Sequence, residues 1–297
     1  MLIVRGVPVS YSVLEAVEAS VSSLFGSTIV SVRLNVVSID RVGLLVQDPS
    51  SGRLVVYWGP RLVFNSTPGR LYCKYHEGVN GVPLEQRYCL RPAGASGYCS
   101  LHRRSPQALY EACTRYSLEA CIQVDVAWSG EEYCVYALDY GGDKLKIGMT
   151  RCWRLIERAL EQPHVSIALL ESYDSAYKAR VREIELSRRA TATNGHGVPK
   201  SSRLLASLSY YERRGLEEAA RRLAEMLSRL GLRGDYEAYT IRPVNAKTVG
   251  VEELVGVKLE LVGYWAGLLV FRTSGGKRLG LPKNTILHRA IGMSLHD

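Results

Sequence analysis

The feature that most constrains the fold is residues 71–104, a stretch too poor in apolar side chains to bury a core. Glycine and proline interrupt it at Gly78, Gly81, Pro83, Pro92, Gly94 and Gly97. A segment of this composition needs a crosslink to keep one shape. It also contains Cys73, His76, Cys89, Cys99 and His102. We therefore predict that it folds around a metal ion.

Zinc suits these residues, because it takes four thiolate or imidazole ligands in a tetrahedron. Cys99 and His102 have two residues between them and follow a glycine, which favours a tight turn that holds the ion from one side. The other two ligands are ambiguous from spacing. Cys73 with Cys89 would give a site of three cysteines and one histidine, whereas Cys73 with His76 would give two of each. Nothing suggests an open coordination position, so the predicted zinc is structural.

The chain has seven cysteines, all between Cys73 and Cys152. An odd number in a chain without a secretory signal argues against a disulfide framework. We therefore expect the four cysteines outside the metal site to be reduced. They are Cys113, Cys121, Cys134 and Cys152.

Length and charge bound the class of protein. A chain of 297 residues is expected to form more than one module. The N-terminus lacks the basic and long apolar regions of a signal peptide, and no apolar run is long enough to span a membrane. We therefore expect a cytoplasmic protein without a membrane partner. The net charge of +9 suits an anionic partner such as DNA or RNA.

Hydrophobic patterning predicts an α+β, multidomain fold with five segments. They are a β-rich module (1–70), a zinc-binding module with a connecting helix (71–130), an α/β core (131–200), a long helix (201–234) and a β-barrel-like module (235–297). In the first segment we expect a helix from Tyr11 to Leu24, a strand from Thr28 to Ile39, and a hairpin around Asp48–Gly52. The long helix is expected to run from Leu204 to Leu230.

The core segment begins with a predicted β-hairpin. Two short runs, from Tyr133 to Leu138 and from Lys144 to Ile147, flank a turn that contains Gly141 and Gly142. Side chains two apart share one face of a strand, so Tyr136 lies with Leu138 and Lys146 lies with Gly148. A helix carrying Arg158 is expected from about Cys152 to Glu161. A second helix, from Ser175 to Arg188, carries Glu183.

These residues resemble the core of GIY-YIG nucleases. Cys134-Val135-Tyr136 stands where that family has Gly-Ile-Tyr, and Lys146-Ile147-Gly148 stands where it has Tyr-Ile-Gly. A closer likeness is to an uncharacterised family that joins a Cys/His cluster to such a core. Its pattern is a tyrosine, then K-[IV]-G-x-T-R, then R-x-x-x-Q. The matching residues are Tyr136, Lys146–Arg151, Arg158 and Gln162.

The resemblance implies roles for particular residues. Arg158, Glu183 and Asn194 fall where the family has a catalytic arginine, a metal-binding glutamate and a frequent asparagine. Glu183 would hold Mg²⁺ or Mn²⁺, Arg158 would neutralise a phosphate, and Tyr136 would orient or deprotonate water. Lys146 would be the base or would lower the pKa of the tyrosine. The resemblance also favours Cys73, Cys89, Cys99 and His102 as the zinc ligands, with His76 as the alternative.

The expected function is therefore a metal-dependent nucleic-acid endonuclease, or a nuclease-derived DNA- or RNA-processing protein, with a structural zinc site. The alternative is a catalytically inactive, zinc-containing protein that binds nucleic acid. Cys134 and Lys146 depart from the family signature, and these departures are what keep the alternative open.

Overall fold

The computed structural model describes residues 1–22, 28–79, 82–115, 117–190 and 200–296. The fold is mixed α+β with several sheets, which confirms the predicted class. In the described ranges no helix is both long and apolar enough to cross a membrane. The α-helices there are α1 (Pro106–Arg115), α2 (Leu118–Ala127), α3 (Leu155–Leu160), α4 (Ala176–Arg189), α5 (Lys200–Arg213) and α6 (Leu216–Arg229).

Strands are more numerous than helices. In chain order they are β1 (Leu2–Gly6), β2 (Val9–Ser22), β3 (Thr28–Gln47), β4 (Leu54–Trp58), β5 (Arg61–Phe64), β6 (His76–Glu77), β7 (Arg87–Tyr88), β8 (Tyr133–Asp139), β9 (Leu145–Arg151), β10 (Ser166–Tyr173), β11 (Gly234–Ile241), β12 (Lys247–Thr248), β13 (Lys258–Trp265), β14 (Leu268–Thr273), β15 (Arg278–Pro282), β16 (Ala290–Ile291) and β17 (Met293–His296). The predicted hairpin around Asp48–Gly52 is confirmed, because β3 and β4 pair with Gln47 opposite Leu54.

The chain divides into two compact units, each assembled from separate stretches of sequence. Unit 1 comprises Met1–Tyr11, Ile39–Ala108 and Val244–Asp297. Unit 2 comprises Ser12–Ser38 and Leu109–Pro243. Residues that lie far apart in the sequence therefore share a core in each unit.

Unit 1 contains a six-stranded sheet in the order β12-β15-β14-β13-β5-β17. The C-terminal strands expected from the sequence are present, and β5 from the N-terminal part of the chain lies between two of them. Phe64 of β5 and Phe271 of β14 are fully buried and meet edge to face, with ring centroids 5.9 Å apart. This contact places residues from the N-terminal and C-terminal parts of the chain in one core.

Unit 2 is built on strands in the order β3-β11-β10-β8-β9. The β8/β9 hairpin lies at one end of this order, and its other neighbour is β10, which runs antiparallel to β8. The strand β11, which was expected to begin the C-terminal module, pairs here with β10 and runs parallel to β3. Alternate residues of β8, beginning with Tyr133, join the main apolar core.

The predicted helix from Tyr11 to Leu24 is wrong. Val9–Ser22 form β2, which pairs with β3. The segment is rich in serine and β-branched valine. Both are unfavourable in a helix interior, and valine favours a strand. Backbone pairing with the long strand β3 therefore outweighs the helical spacing of its apolar residues.

The single long helix from Leu204 to Leu230 is also wrong. The described chain forms α5 and α6, with Arg214 and Gly215 between them. Gly215 has φ −90° and ψ 176°, an extended conformation that ends the helical hydrogen-bond ladder. The predicted helix from Cys152 is shorter than expected, because Cys152–Arg154 form a 3-10 turn before α3. The second predicted helix is confirmed as α4, capped by Ser175.

Four cysteines that were expected to be reduced form two disulfides. They link Cys113 to Cys121 and Cys134 to Cys152, with Cα atoms 4.7 and 4.9 Å apart. The remaining three are free thiols. The odd number of cysteines does not exclude disulfides, because a site of three cysteines and one histidine leaves four cysteines to pair.

This cysteine arrangement makes a countable prediction. Protein unfolded in denaturant and chelator, without reductant, should react with a thiol reagent at three cysteines, namely Cys73, Cys89 and Cys99. After reduction all seven should react. Seven reactive thiols before reduction would contradict both disulfides.

Candidate functional site

Four ligand atoms converge in unit 1. The thiols of Cys73, Cys89 and Cys99 and a ring nitrogen of His102 all lie within 4.8 Å of one another. His102 Nδ1 is 3.6 Å from Cys73 Sγ and 3.3 Å from Cys99 Sγ. A tetrahedral zinc with bonds of about 2.0–2.3 Å would place its ligand atoms roughly 3.3–3.8 Å apart. Both distances to His102 Nδ1 lie in this range, and three thiols with one imidazole are a donor set that zinc takes, so the cluster could hold zinc.

The alternative ligand His76 lies outside this cluster among the described residues. Its backbone carbonyl accepts a hydrogen bond from Gln107 Nε2 at 2.8 Å. Its ring packs at a tilt against Tyr88, with centroids 5.2 Å apart. The set of three cysteines and one histidine is thus the one that the fold brings together.

Backbone amides surround the sulfur atoms of the cluster. Cys99 N–H donates to Cys73 Sγ at 3.3 Å, and Arg91 N–H donates to Cys89 Sγ at 3.5 Å. Burial is the main reason that the pKa of Cys73 rises to about 11. A bound cation reverses this preference, because a coordinated thiol is held as the thiolate.

Arg5 supports the same loops. No sequence signal indicated this role, because an arginine in a predicted strand has no evident function. Its side chain is 2% exposed and donates to the carbonyls of Cys73 at 3.0 Å and Cys89 at 2.9 Å. Its Nε donates to Gln47 at 2.8 Å. Burial lowers the pKa of Arg5 to about 10, so the guanidinium stays charged at neutral pH. One buried cation thereby holds two of the ligand-bearing loops.

In unit 2, the pairing of β8 with β9 places Tyr136 opposite Gly148. The tyrosine is 1% exposed. A Cβ atom on residue 148 would lie 2.5 Å from the ring carbon Cζ and 3.0 Å from Cε1 of Tyr136. Any side chain larger than glycine would therefore push the phenol away. This close approach is the physical reason for glycine in the Lys146-Ile147-Gly148 motif.

Gln162 connects the two predicted catalytic residues of the hairpin. Its Nε2 donates to the Tyr136 hydroxyl oxygen at 3.1 Å, and its Oε1 accepts a hydrogen bond from Lys146 Nζ. A lysine ammonium can only donate, so it fixes the amide with its oxygen toward Lys146. The amide N–H groups must then face Tyr136. The tyrosine oxygen is consequently held as an acceptor.

The charges around Tyr136 favour its ionised form. Burial raises the pKa of Tyr136, but the positive charges of Arg158 and Lys146 and the bond from Gln162 lower it by more, so the net change is downward. The pKa of Lys146 is lowered, mainly by burial. The pKa of Arg158 is raised, first by its interaction with Tyr136.

Arg158 belongs to α3 and is oriented by a neighbouring carboxylate. Its Nη1 donates to Glu161 at 2.6 Å, and 38% of its side chain is exposed. Glu161 also pairs with Arg154 at 3.3 Å and is itself only 13% exposed. The two arginines are therefore held together by one largely buried acid, with Arg158 still accessible to an anion.

Glu183 lies on α4 near the same charges, but its carboxylate is already paired. It forms an ion pair with Arg180, and both side chains are less than 15% exposed. Burial raises the pKa of Glu183, and the charges of Arg180, Lys146 and Arg158 oppose that change. Among the described residues it does not belong to a group of three or more ligands. Asn194 lies outside the described residues.

Three contributors to this site were not predicted from the sequence. Gln162 was noted in the R-x-x-x-Q pattern without a role, Glu161 was named only as the expected end of a helix, and Arg180 was not noted. Their signal was available as helical spacing, since Glu161 is three residues after Arg158 and Arg180 is three before Glu183. A salt bridge on a helix is common, so this spacing alone would not have singled them out.

The metal cluster predicts one zinc per chain. Cys99→Ala should release the ion and destabilise residues 71–104, because binding of a structural zinc contributes directly to folding. His76→Ala is the matched control, since it removes an imidazole from the same loops but leaves the cluster intact, and it should keep the metal. Elemental analysis of purified protein measures both. Zinc retained in Cys99→Ala, or absent from the unaltered protein, would contradict the site.

Comparisons with known proteins give no match. No family model, no curated protein and no solved structure matches this chain. The chemistry of the metal cluster in unit 1 and of the residues around Tyr136 in unit 2 must therefore carry any functional conclusion.

Proposed function

We propose that the protein is a metal-dependent phosphodiesterase that acts on nucleic acid through a GIY-YIG-like core in unit 2, with a structural zinc in unit 1. One observation carries the proposal. Tyr136, Gln162 and Lys146 form a hydrogen-bonded chain, with Arg158 near the tyrosine oxygen. These residues come from a hairpin and the helix region that follows it, as the resemblance implies.

In this proposal Tyr136 is the group that orients or deprotonates the attacking water. Its oxygen accepts the N–H of Gln162, and the nearby positive charges stabilise a tyrosinate. A general base works best when its pKa lies near the working pH, and the net downward change moves Tyr136 in that direction. The residue is 1% exposed, so neighbouring side chains must move for a substrate to reach it.

Arg158 is the phosphate-binding group. An arginine fork can donate two hydrogen bonds to a phosphate, and the exposed part of this side chain is available for them. Lys146 adds a second positive charge next to Tyr136. Negative charge that develops on the phosphate in the transition state would be stabilised by this pair.

Glu183 would hold the divalent cation. Mg²⁺ usually keeps several waters and takes only one or two protein carboxylates, so a single glutamate suffices. When bound, the ion would supply charge stabilisation for the leaving oxygen. Arg180 must first release the carboxylate, because the two are paired.

A second candidate function is a nucleic-acid-binding protein whose core does not cleave. The ion pair between Arg180 and Glu183 favours it, because a carboxylate committed to arginine binds no cation. The buried state of Tyr136 points the same way. Both candidates predict phosphate contacts through Arg158, and the net positive charge of the chain suits both. They differ only in whether the nucleic acid is cleaved.

Cleavage assays on two glutamates of α4 distinguish these candidates. Glu183→Gln should lower Mg²⁺- or Mn²⁺-dependent cleavage of DNA or RNA by at least about 100-fold, the scale of losing one transition-state interaction. Nucleic-acid binding should remain. Glu185→Gln is the control, because this residue lies on the same helix in ion pairs with Arg182 and Arg189 and is 44% exposed.

Equal cleavage by both glutamine variants would show that Glu183 holds no catalytic ion. Absence of cleavage in the unaltered protein, together with salt-dependent binding, would establish the second candidate instead.

A further inference from the structure

A groove in unit 2 has arginine as its most frequent lining residue. It has a volume of about 430 Å³ and lies between the turn of the β8/β9 hairpin and the helices α5 and α6. Four arginines line it, and two glutamates are its only acidic residues. The arginines are Arg213, Arg214, Arg221 and Arg222.

Two of the charges are committed to the fold. Arg222 Nε donates to the fully buried Asp139 at 2.8 Å, and Arg222 also bonds the carbonyl of Gly142. Glu225, one of the two acidic residues, pairs with Arg229 outside the groove at 4.0 Å. The contacts of Arg222 attach α6 to the hairpin turn, and the other charges set the character of the groove.

The remaining charges have an excess of arginine. Arg214 and Arg221 share a single carboxylate, that of Glu218, at 3.4 and 2.6 Å. Arg213 is exposed and has no ion pair with any other residue that the structure describes. Besides Arg222 and Glu225, the groove therefore contains three guanidinium groups and one carboxylate. Each of the three has N–H donors that Glu218 cannot satisfy.

The helix α5 connects this groove with the Tyr136 site. Arg203, near its beginning, acts on Lys146 through its charge. Arg213 is the last residue of α5. The groove begins at Ala206, three residues after Arg203, and extends to Arg213. Its arginine-bearing end therefore lies about 15 Å from Arg203 along the helix, the length of four or five nucleotides at roughly 3.4 Å each. A polynucleotide can bridge both places, whereas a mononucleotide cannot.

We propose that this arginine groove binds backbone phosphates of a nucleic-acid strand several nucleotides away from the phosphate held at Arg158. The inference rests on the proposed nucleic-acid substrate and adds where that strand runs. Guanidinium forks suit phosphate oxygens, and contacts to the backbone position a strand without reading its sequence. The groove thus sets the length of substrate that binds well.

Binding of oligonucleotides of different length tests the groove directly. Fluorescence anisotropy, without added divalent cation, would compare labelled single strands of about ten nucleotides with dinucleotides, and a nucleoside monophosphate would compete. The double variant Arg213→Gln/Arg221→Gln should weaken binding of the longer strand by about tenfold, the scale of two exposed ion pairs. Its slope of log K against log salt should shrink by about 1.4. Binding of the dinucleotide should not change.

Arg188→Gln/Arg233→Gln is the matched control. It also removes two positive charges from unit 2, and both residues are exposed and lie outside the groove. Thermal unfolding would show that both proteins remain folded. The groove proposal would be overturned if the control and Arg213→Gln/Arg221→Gln lost equal affinity for the longer strand. Equal losses of affinity for the dinucleotide and the longer strand would also overturn it. Cleavage is measured separately. A protein that binds longer strands better but does not cleave them would contradict the proposed nuclease activity and support strand binding in the groove.

If the unaltered protein binds no oligonucleotide, both the groove and the proposed function are overturned. If the mononucleotide competes fully with the longer strand, a small phosphorylated ligand is the occupant and the strand path is wrong.

Discussion

The site in unit 2 depends on the register of the β8/β9 hairpin. Tyr136 lies opposite Gly148 in that register, and the phenol occupies the space where a side chain on residue 148 would be. A shift of one residue would move Tyr136 to the other face of the sheet and place a larger residue opposite it. The Cys134–Cys152 disulfide fixes the same hairpin to the turn that precedes α3. Arg158 and Gln162 follow that turn in the sequence. The β8/β9 pairing therefore positions them together with Tyr136 and Lys146.

The charges around Glu183 are mostly positive. Three basic residues, Lys146, Arg158 and Arg180, act on Glu183, and the closest of them is paired with it. In the proposed function a divalent cation would replace the positive charge of Arg180 at the Glu183 carboxylate, so release of Arg180 would not leave that carboxylate unpaired. Unit 1 is stabilised by different contacts. Its loops have little core, and Arg5 together with the cluster of three cysteines and one histidine holds them in place.

The sequence predicted those parts of the fold that local chemistry decides. The hairpin turn at Gly141, the start of α4 at Ser175 and the metal-binding turn at Cys99 all have short-range signals, and all three are present. The parts that failed depend on distant partners. The strand β2 exists because β3 is available to pair with it, although its own spacing favoured a helix. The disulfides could not be read from a cysteine count, because pairing requires knowledge of which Cα atoms lie within about 7 Å.

The hydroxyl of Tyr136 offers the most direct test of the central claim. Tyr136→Phe keeps the ring against Gly148 and removes only the oxygen that Gln162 contacts. Single-turnover cleavage of a bound oligonucleotide, measured with Mg²⁺ or Mn²⁺, would report the chemical step alone. The account predicts that the variant folds and binds as before while cleavage falls by about 100-fold or more. Cleavage at the original rate in Tyr136→Phe would contradict it.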